Sequence, residues 1–200
     1  MSEPSRVLAE GPFTVDDFDA VTDLVLAAWG SAVDRDWTVP AGSLEWSCWK
    51  TAEHTIDCVF SYALFLASRK QDGYPRFDEL HADPGATPAD LLDGLRAVTT
   101  MVSSVIRTAP PDAVAIIWQR DGGQVAGAPQ FAARAAHELI LHGHDVCAGL
   151  GVAFEPPPEL CQRLWDHTQA WGVFGTADAT GDPWRDLLVR SGRPVQELHS

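Results

Sequence analysis

Four stretches of this 200-residue chain carry apolar residues at steps of three and four, the period of an α-helix with one buried face. In the first, Val15, Phe18, Val21, Leu24, Val25, Ala28 and Trp29 recur between 14 and about 33, after a Thr14-to-Asp17 start that reads as a capping box. The second follows the loop residues Pro40, Gly42 and Ser43, takes Ser47 as its cap and runs to about Arg69, carrying His54. The third, about 89–108, places Leu91, Leu92, Leu95, Val98, Met101, Val102 and Val105 on one face and is ended by Pro110-Pro111. The fourth runs over about 129–149. Gly73, Pro75, Pro84, Gly85 and Pro88 punctuate 71–88 into a long connection, and 113–118 reads as a strand or an extended linker before a turn at Asp121-Gly122-Gly123. Beyond Pro156-Pro157-Pro158 come a helix over about 159–171 and a short one near 184–190.

This pattern predicts an all-α fold: a four-helix bundle with a long crossover and short C-terminal helical additions. The expected organisation is one domain over 1–200, with a core at about 14–150 and an extension at 151–200. A composition of 46% hydrophobic and 21% charged residues suits a soluble globular protein, with no apolar run long enough for a membrane span. The net charge of −14 excludes a nucleic-acid partner or an anionic membrane surface, both of which need clustered Lys and Arg. The polar start Met1-Ser-Glu-Pro-Ser-Arg6, followed by Asp16, Asp17 and Asp19, lacks a secretory pattern and predicts a cytoplasmic location. Cys48, Cys58, Cys147 and Cys161 show no zinc-ribbon spacing and read as reduced, buried side chains.

The chemistry concentrates in His137-Glu-Leu-Ile-Leu-His142-Gly-His144-Asp145. Glu138 and His142, four apart on a helix, differ in direction by only about 40° and can address one ion. The same pair also reads as a surface hydrogen bond. A zinc-protease helix is excluded, since it needs histidines four apart, whereas His137 and His142 are five apart and diverge by about 140°. His54, among Trp46, Ile56, Val59, Phe60 and Leu64, is the candidate third ligand; its other reading is a core histidine satisfied by a carbonyl. His137 and His144 share a face roughly opposite the ligands and read as a solvent-facing pair rather than a second metal site. Cys58 lies one turn after His54 and reads as core, though it is placed to approach an ion. Trp46, Trp49 and Trp118 line a pocket or pack in the core.

The segment Trp46-Ser-Cys-Trp-Lys-Thr-Ala-Glu-His54 resembles the start of the second helix in the DinB-like superfamily. Specifically, it is similar to the mycothiol-dependent maleylpyruvate isomerase N-terminal-domain group. Arg134-Ala-Ala-His-Glu138-Leu-Ile-Leu-His142-Gly-His-Asp145 resembles that group's metal-binding fourth helix, and a looser likeness covers Asp182-Pro-Trp184 to Gly192-Arg193-Pro194. The resemblance implies a DinB-like four-helix bundle in which His54, Glu138 and His142 bind a divalent metal. Arg134 would then bind substrate or hold the ligand carboxylate, the latter preferred, and Asp145 would orient His142 or cap nearby donors. The donor set suits zinc first, and also nickel, manganese or iron.

What the resemblance implies about activity is a metal-dependent enzyme that uses mycothiol, the thiol of actinobacteria, or another low-molecular-weight thiol. Such an enzyme transfers, conjugates or isomerises a small electrophilic substrate. The alternatives are a metal-dependent hydrolase and a non-catalytic metal- or ligand-binding stress or regulatory protein. The roughly fifty residues after the fourth helix are too few for the further domain of that group's isomerases, so maleylpyruvate isomerase itself is not expected. A homodimer through bundle helices is expected.

Overall fold

The computed structural model describes residues 5–6, 13–77, 79–119, 123–171 and 179–194. The four bundle helices are α1 (Val15–Gly30), α2 (Cys48–Ser68), α3 (Pro88–Thr108) and α4 (Ala128–Leu150). Local chemistry sets their ends. Thr14 and Asp17 form a reciprocal capping box on α1, Thr87 and Asp90 do the same on α3 with Pro88 in the first turn, and the Ser47 hydroxyl accepts the Lys50 N–H to start α2. Left-handed residues close two of them, Arg69 after α2 and Gly151 after α4.

α1 packs against α3 and α4, and α2 packs against the same two, so α1 and α2 occupy diagonal corners. Arg107 near the end of α3 bonds Asp16 and Asp19 near the start of α1, which makes that pair antiparallel. Cys48 at the start of α2 meets the Val146 carbonyl near the end of α4, so this pair is antiparallel too. Ile56 of α2 faces Gly94 of α3, each early in its helix; α2 and α3 therefore run the same way.

That direction explains the long crossover. A helix of the length of α2 spans about 31 Å, and two consecutive parallel helices require the chain to travel back that far between them. Residues 69–87 make the return along α2 itself, with the Leu80 N–H donating to Asp57 Oδ1 (2.9 Å) and the Ala82 N–H to Glu53 Oε1 (3.1 Å).

Between α3 and α4 the chain forms the hairpin β2 (Ala115–Trp118) and β3 (Gln124–Ala126), joined in parallel by β1 (Ser5–Arg6) in the order β1-β3-β2. Within the stretch 113–118, residues 115–118 are thus a strand, tied to the segment after α2 by the Ile116 N–H to the Lys70 carbonyl (2.7 Å). In the expected turn, Asp121 and Gly122 lie outside the described residues, while Gly123 takes a left-handed φ of 84°. The extension holds α5 (Pro158–Thr168), a 3-10 turn (Gln169–Trp171) and α6 (Pro183–Arg190). α5 and α6 pack on each other, α5 lies against α4, and the Arg163 guanidinium grips Asp17 of α1. Among the described residues no helix is long and apolar enough to cross a membrane.

One core of buried side chains, including Phe18, Trp29, Leu66, Leu95, Phe131, Leu139 and Leu164, joins the bundle to the extension. Residues 40–41 cross closely over α4, where a Cβ on Gly149 would collide with the Pro40 carbonyl oxygen and lie 2.6 Å from Cys48 Sγ. Gly149→Ala is therefore expected to cost about 1–3 kcal/mol by overpacking. Gly30→Ala, at a helical glycine with no neighbour within 4 Å, should cost nothing and gain up to about 1 kcal/mol from backbone entropy. Urea unfolding of the two variants checks the contrast.

Candidate metal centre

α2 and α4 face each other through two rows of side chains spaced by four. His54, Cys58 and Tyr62 lie along α2, and His142, Glu138 and Arg134 oppose them on the antiparallel α4. Spacing by four keeps each row on one helix face, and antiparallel packing sets the rows in reverse order.

The structure brings His54, Glu138 and His142 together, with one donor atom from each within 4.8 Å of the others. His142 Nε2 lies 3.6 Å from Glu138 Oε2, and the His54 and His142 rings meet edge to face with centroids 5.3 Å apart. All three side chains are half-buried. Burial, with the adjacent His142, holds His54 below the ordinary histidine range, so its imidazole is neutral at physiological pH, the form that offers a lone pair.

Each donor on α4 is braced from behind. Glu138 Oε1 faces the Tyr62 hydroxyl (3.5 Å) and Arg134 Nη2 (3.4 Å), which leaves Oε2 for the cluster. Arg134 Nε donates to the Tyr62 oxygen (3.1 Å), and its guanidinium stacks between Trp118 and Trp171 at 5.2 and 5.4 Å from the ring centres. Burial lifts the Tyr62 phenol well above its usual range, so it remains a donor toward Glu138. Arg134 is thus committed to the carboxylate. Behind His142, Nδ1 lies 3.0 Å from Asp145 Oδ2, and Asp145 in turn takes Arg193 Nε (2.8 Å) and Nη2 (2.6 Å). Burial alone would raise the Asp145 pKa; the His142 and Arg193 hydrogen bonds outweigh it and hold the carboxyl below its usual range.

A divalent ion fits this cluster: two imidazoles and a carboxylate are its donor types, and the bonds to Glu138 and His142 leave Oε2 and Nε2 facing inward. A family model described as the DinB superfamily matches residues 17–146. The chain belongs to the DinB superfamily. The matched stretch reaches into all four bundle helices and holds the whole cluster, and this superfamily is one of metal-binding helical bundles. Comparison with curated proteins and with solved structures gave no match.

Three expectations from the sequence change. His137 is not solvent-facing: it is 4% exposed and meets Trp171 edge-on at 5.7 Å, while His144 is half-buried against Trp184. The extension folds back over that face of α4, which a single helix's periodicity does not reveal. Cys58 is not a core residue but lies beside the cluster, its Sγ 3.4 Å from His54 Nε2; burial pushes its thiol up to about 12, so it stays protonated. Of the three tryptophans, Trp46 is 44% exposed and sits edge-on to His54 at 5.0 Å, Trp118 stacks on Arg134, and Trp49 packs against the core. Tyr62 and Arg193 were missed. Tyr62 continues the four-residue spacing of His54 and Cys58, a signal present in the sequence; Arg193 lies in the loosely similar tail segment, but no spacing ties it to the cluster.

The burial of His137 has a pH consequence. Burial, aided by Arg134, holds its pKa well below the ordinary value, whereas the unfolded chain takes up the proton at about 6.5. The unfolded state therefore binds more protons as pH falls below about 6.5, and this group removes stability by up to about 1.4 kcal/mol per pH unit there, with no effect above it. Urea unfolding of metal-free protein between pH 7.5 and 5 should show a shallower acid loss in His137→Gln than in wild type.

Proposed function

We propose that this DinB-superfamily chain is a metal-dependent enzyme that uses a low-molecular-weight thiol, mycothiol or a relative, on a small electrophilic substrate. The reaction class is thiol transfer, conjugation or isomerisation. The observation that carries the reading is the convergence of His54, Glu138 and His142 from two helices. Three protein donors leave coordination positions for an exogenous group, the pattern of a catalytic rather than a structural site. The likeness of Trp46–His54 and Arg134–Asp145 to the mycothiol-dependent group supports a thiol in that place.

When bound, the metal supplies a Lewis acid that lowers a coordinated thiol's pKa from about 8.5 toward neutrality. Zinc suits the donors first, with nickel, manganese and iron as further choices. The chain's own residues bind and orient. Asp145 turns His142 Nε2 inward, Arg134 and Tyr62 hold Glu138 by one oxygen, and the neutral His54 closes the third side. The half-exposed Trp46 indole beside His54 gives an incoming apolar group a wall. Cys58 stays protonated and does not compete as a thiolate.

His54→Ala, Glu138→Ala and His142→Ala should each lose most bound metal on elemental analysis, while His81→Ala, at an exposed histidine outside the cluster, keeps it. Cobalt-loaded protein should develop an intense sulfur-to-metal charge-transfer band on titration with a small thiol, saturating with concentration and persisting in Cys58→Ser. A spectrum indifferent to thiol, with metal-dependent hydrolysis in its place, would move the reading to water activation.

A further inference from the structure

We infer that Arg193 is a positioning residue for the metal centre: its fork on Asp145 holds the His142 ring with Nδ1 on the carboxylate and Nε2 turned toward Glu138. The inference deepens the proposed function and rests on it for its consequence. Its geometry rests on contacts alone.

Arg193 follows the end of α6. The Ser191 N–H reaches the Leu187 carbonyl, Gly192 takes a left-handed φ of 77°, and the Arg193 N–H closes back on the Leu188 carbonyl at 2.9 Å. This is a Schellman closure with glycine at its left-handed position, and it reverses the chain immediately before Arg193. α6 is anchored for the purpose: Leu187 and Leu188 are buried, and Asp186 takes the Thr180 N–H and hydroxyl. The arginine is thereby delivered to α4 from a rigid turn.

At α4 both oxygens of Asp145, a residue 2% exposed, are engaged. Oδ1 accepts from Arg193 Nε, and Oδ2 accepts from Arg193 Nη2. Two parallel bonds to a planar guanidinium fix the carboxylate plane, which a single bond would leave free to rotate. The remaining contact to Oδ2 is His142 Nδ1 at 3.0 Å. Arg193 Nη2 also lies 3.5 Å from that nitrogen. A carboxylate only accepts and a guanidinium only donates, so the shorter contact assigns the hydrogen to Nδ1 and leaves the lone pair on Nε2. Nε2 is the atom that faces Glu138 Oε2 at 3.6 Å. Without the fork, Asp145 would be free to turn, and His142 would lose what sets its ring and tautomer.

The experiment compares Arg193→Ala and Arg193→Lys with Arg190→Ala, which disturbs α6 at a side chain stacked on Trp165. Long-range nitrogen-to-proton NMR correlation on 15N-histidine-labelled, metal-free protein reads the His142 tautomer. Wild type and Arg190→Ala should show the Nδ1–H form, Arg193→Ala a mixture with Nε2–H, and Arg193→Lys an intermediate pattern. In parallel, cobalt binding should weaken about 10–100-fold in Arg193→Ala, the size found for outer partners of metal-bound histidines, with partial recovery in Arg193→Lys. If Arg193→Ala does not fold, the lysine variant decides by the same two readouts. An Arg193 variant indistinguishable from Arg190→Ala in tautomer or in cobalt affinity overturns the inference. Wild-type protein that binds no cobalt would instead overturn the metal reading, and the tautomer measurement would still decide the role of Arg193 in setting His142.

Discussion

The antiparallel contact of α2 and α4 is the constraint on which the candidate site depends. With helices running in opposite directions, residues at steps of four on one meet residues at steps of four on the other in reverse order, so His54 meets His142 while Tyr62 meets Arg134. The donors and their braces are therefore one continuous ladder. A parallel α2 and α4 aligned at their starts would offset the two histidines by about two turns, roughly 12 Å, too far for one ion. The rest of the topology accommodates this contact: α1 takes the opposite diagonal, α3 is forced parallel to α2, and residues 69–87 return along α2 to permit it.

The second physical theme is how two carboxylates are held in fixed orientation beside the cluster. Glu138 and Asp145 each have their own arginine, Arg134 from α4 itself and Arg193 from the extension. Buried ion pairs of this kind add little net stability, because desolvation offsets most of the attraction. Their value lies in geometry. Arg134 is held between two tryptophan faces and Arg193 by a helix-terminal turn, so both cations arrive at fixed positions and orient the carboxylates rather than merely neutralising them. The net charge of −14 is no obstacle, since the few basic residues that matter are placed inside.

How much of this was legible in the sequence follows from the range of each signal. Helix starts were readable because Thr14 and Ser47 act within a few residues, and Glu138 with His142 because a step of four is local. The long crossover was readable as a length. Its cause, a parallel α2 and α3, was not, since direction depends on packing. The small sheet was half visible: 113–118 has strand character, but the pairing of β1 with β3 joins segments that no local pattern connects. His137 was misread for the same reason, because the burial of that face of α4 is decided by Trp171 in a later segment. Arg193 stands 48 residues from Asp145, and only the folded extension brings them together.

These observations change the standing of the extension. Judged by sequence it is an addition to a complete bundle, and the family match ends at residue 146, before it begins. Judged by contacts it completes the site twice over: Trp171 covers Arg134 and His137, and Arg193 fixes Asp145. At the His54 end of the cluster, by contrast, the Trp46 indole is 44% exposed. Donors braced by side chains that are themselves locked, Arg134 between two indoles and Arg193 by a helix-terminal turn, are donors held still, and it is the extension that supplies half of that bracing.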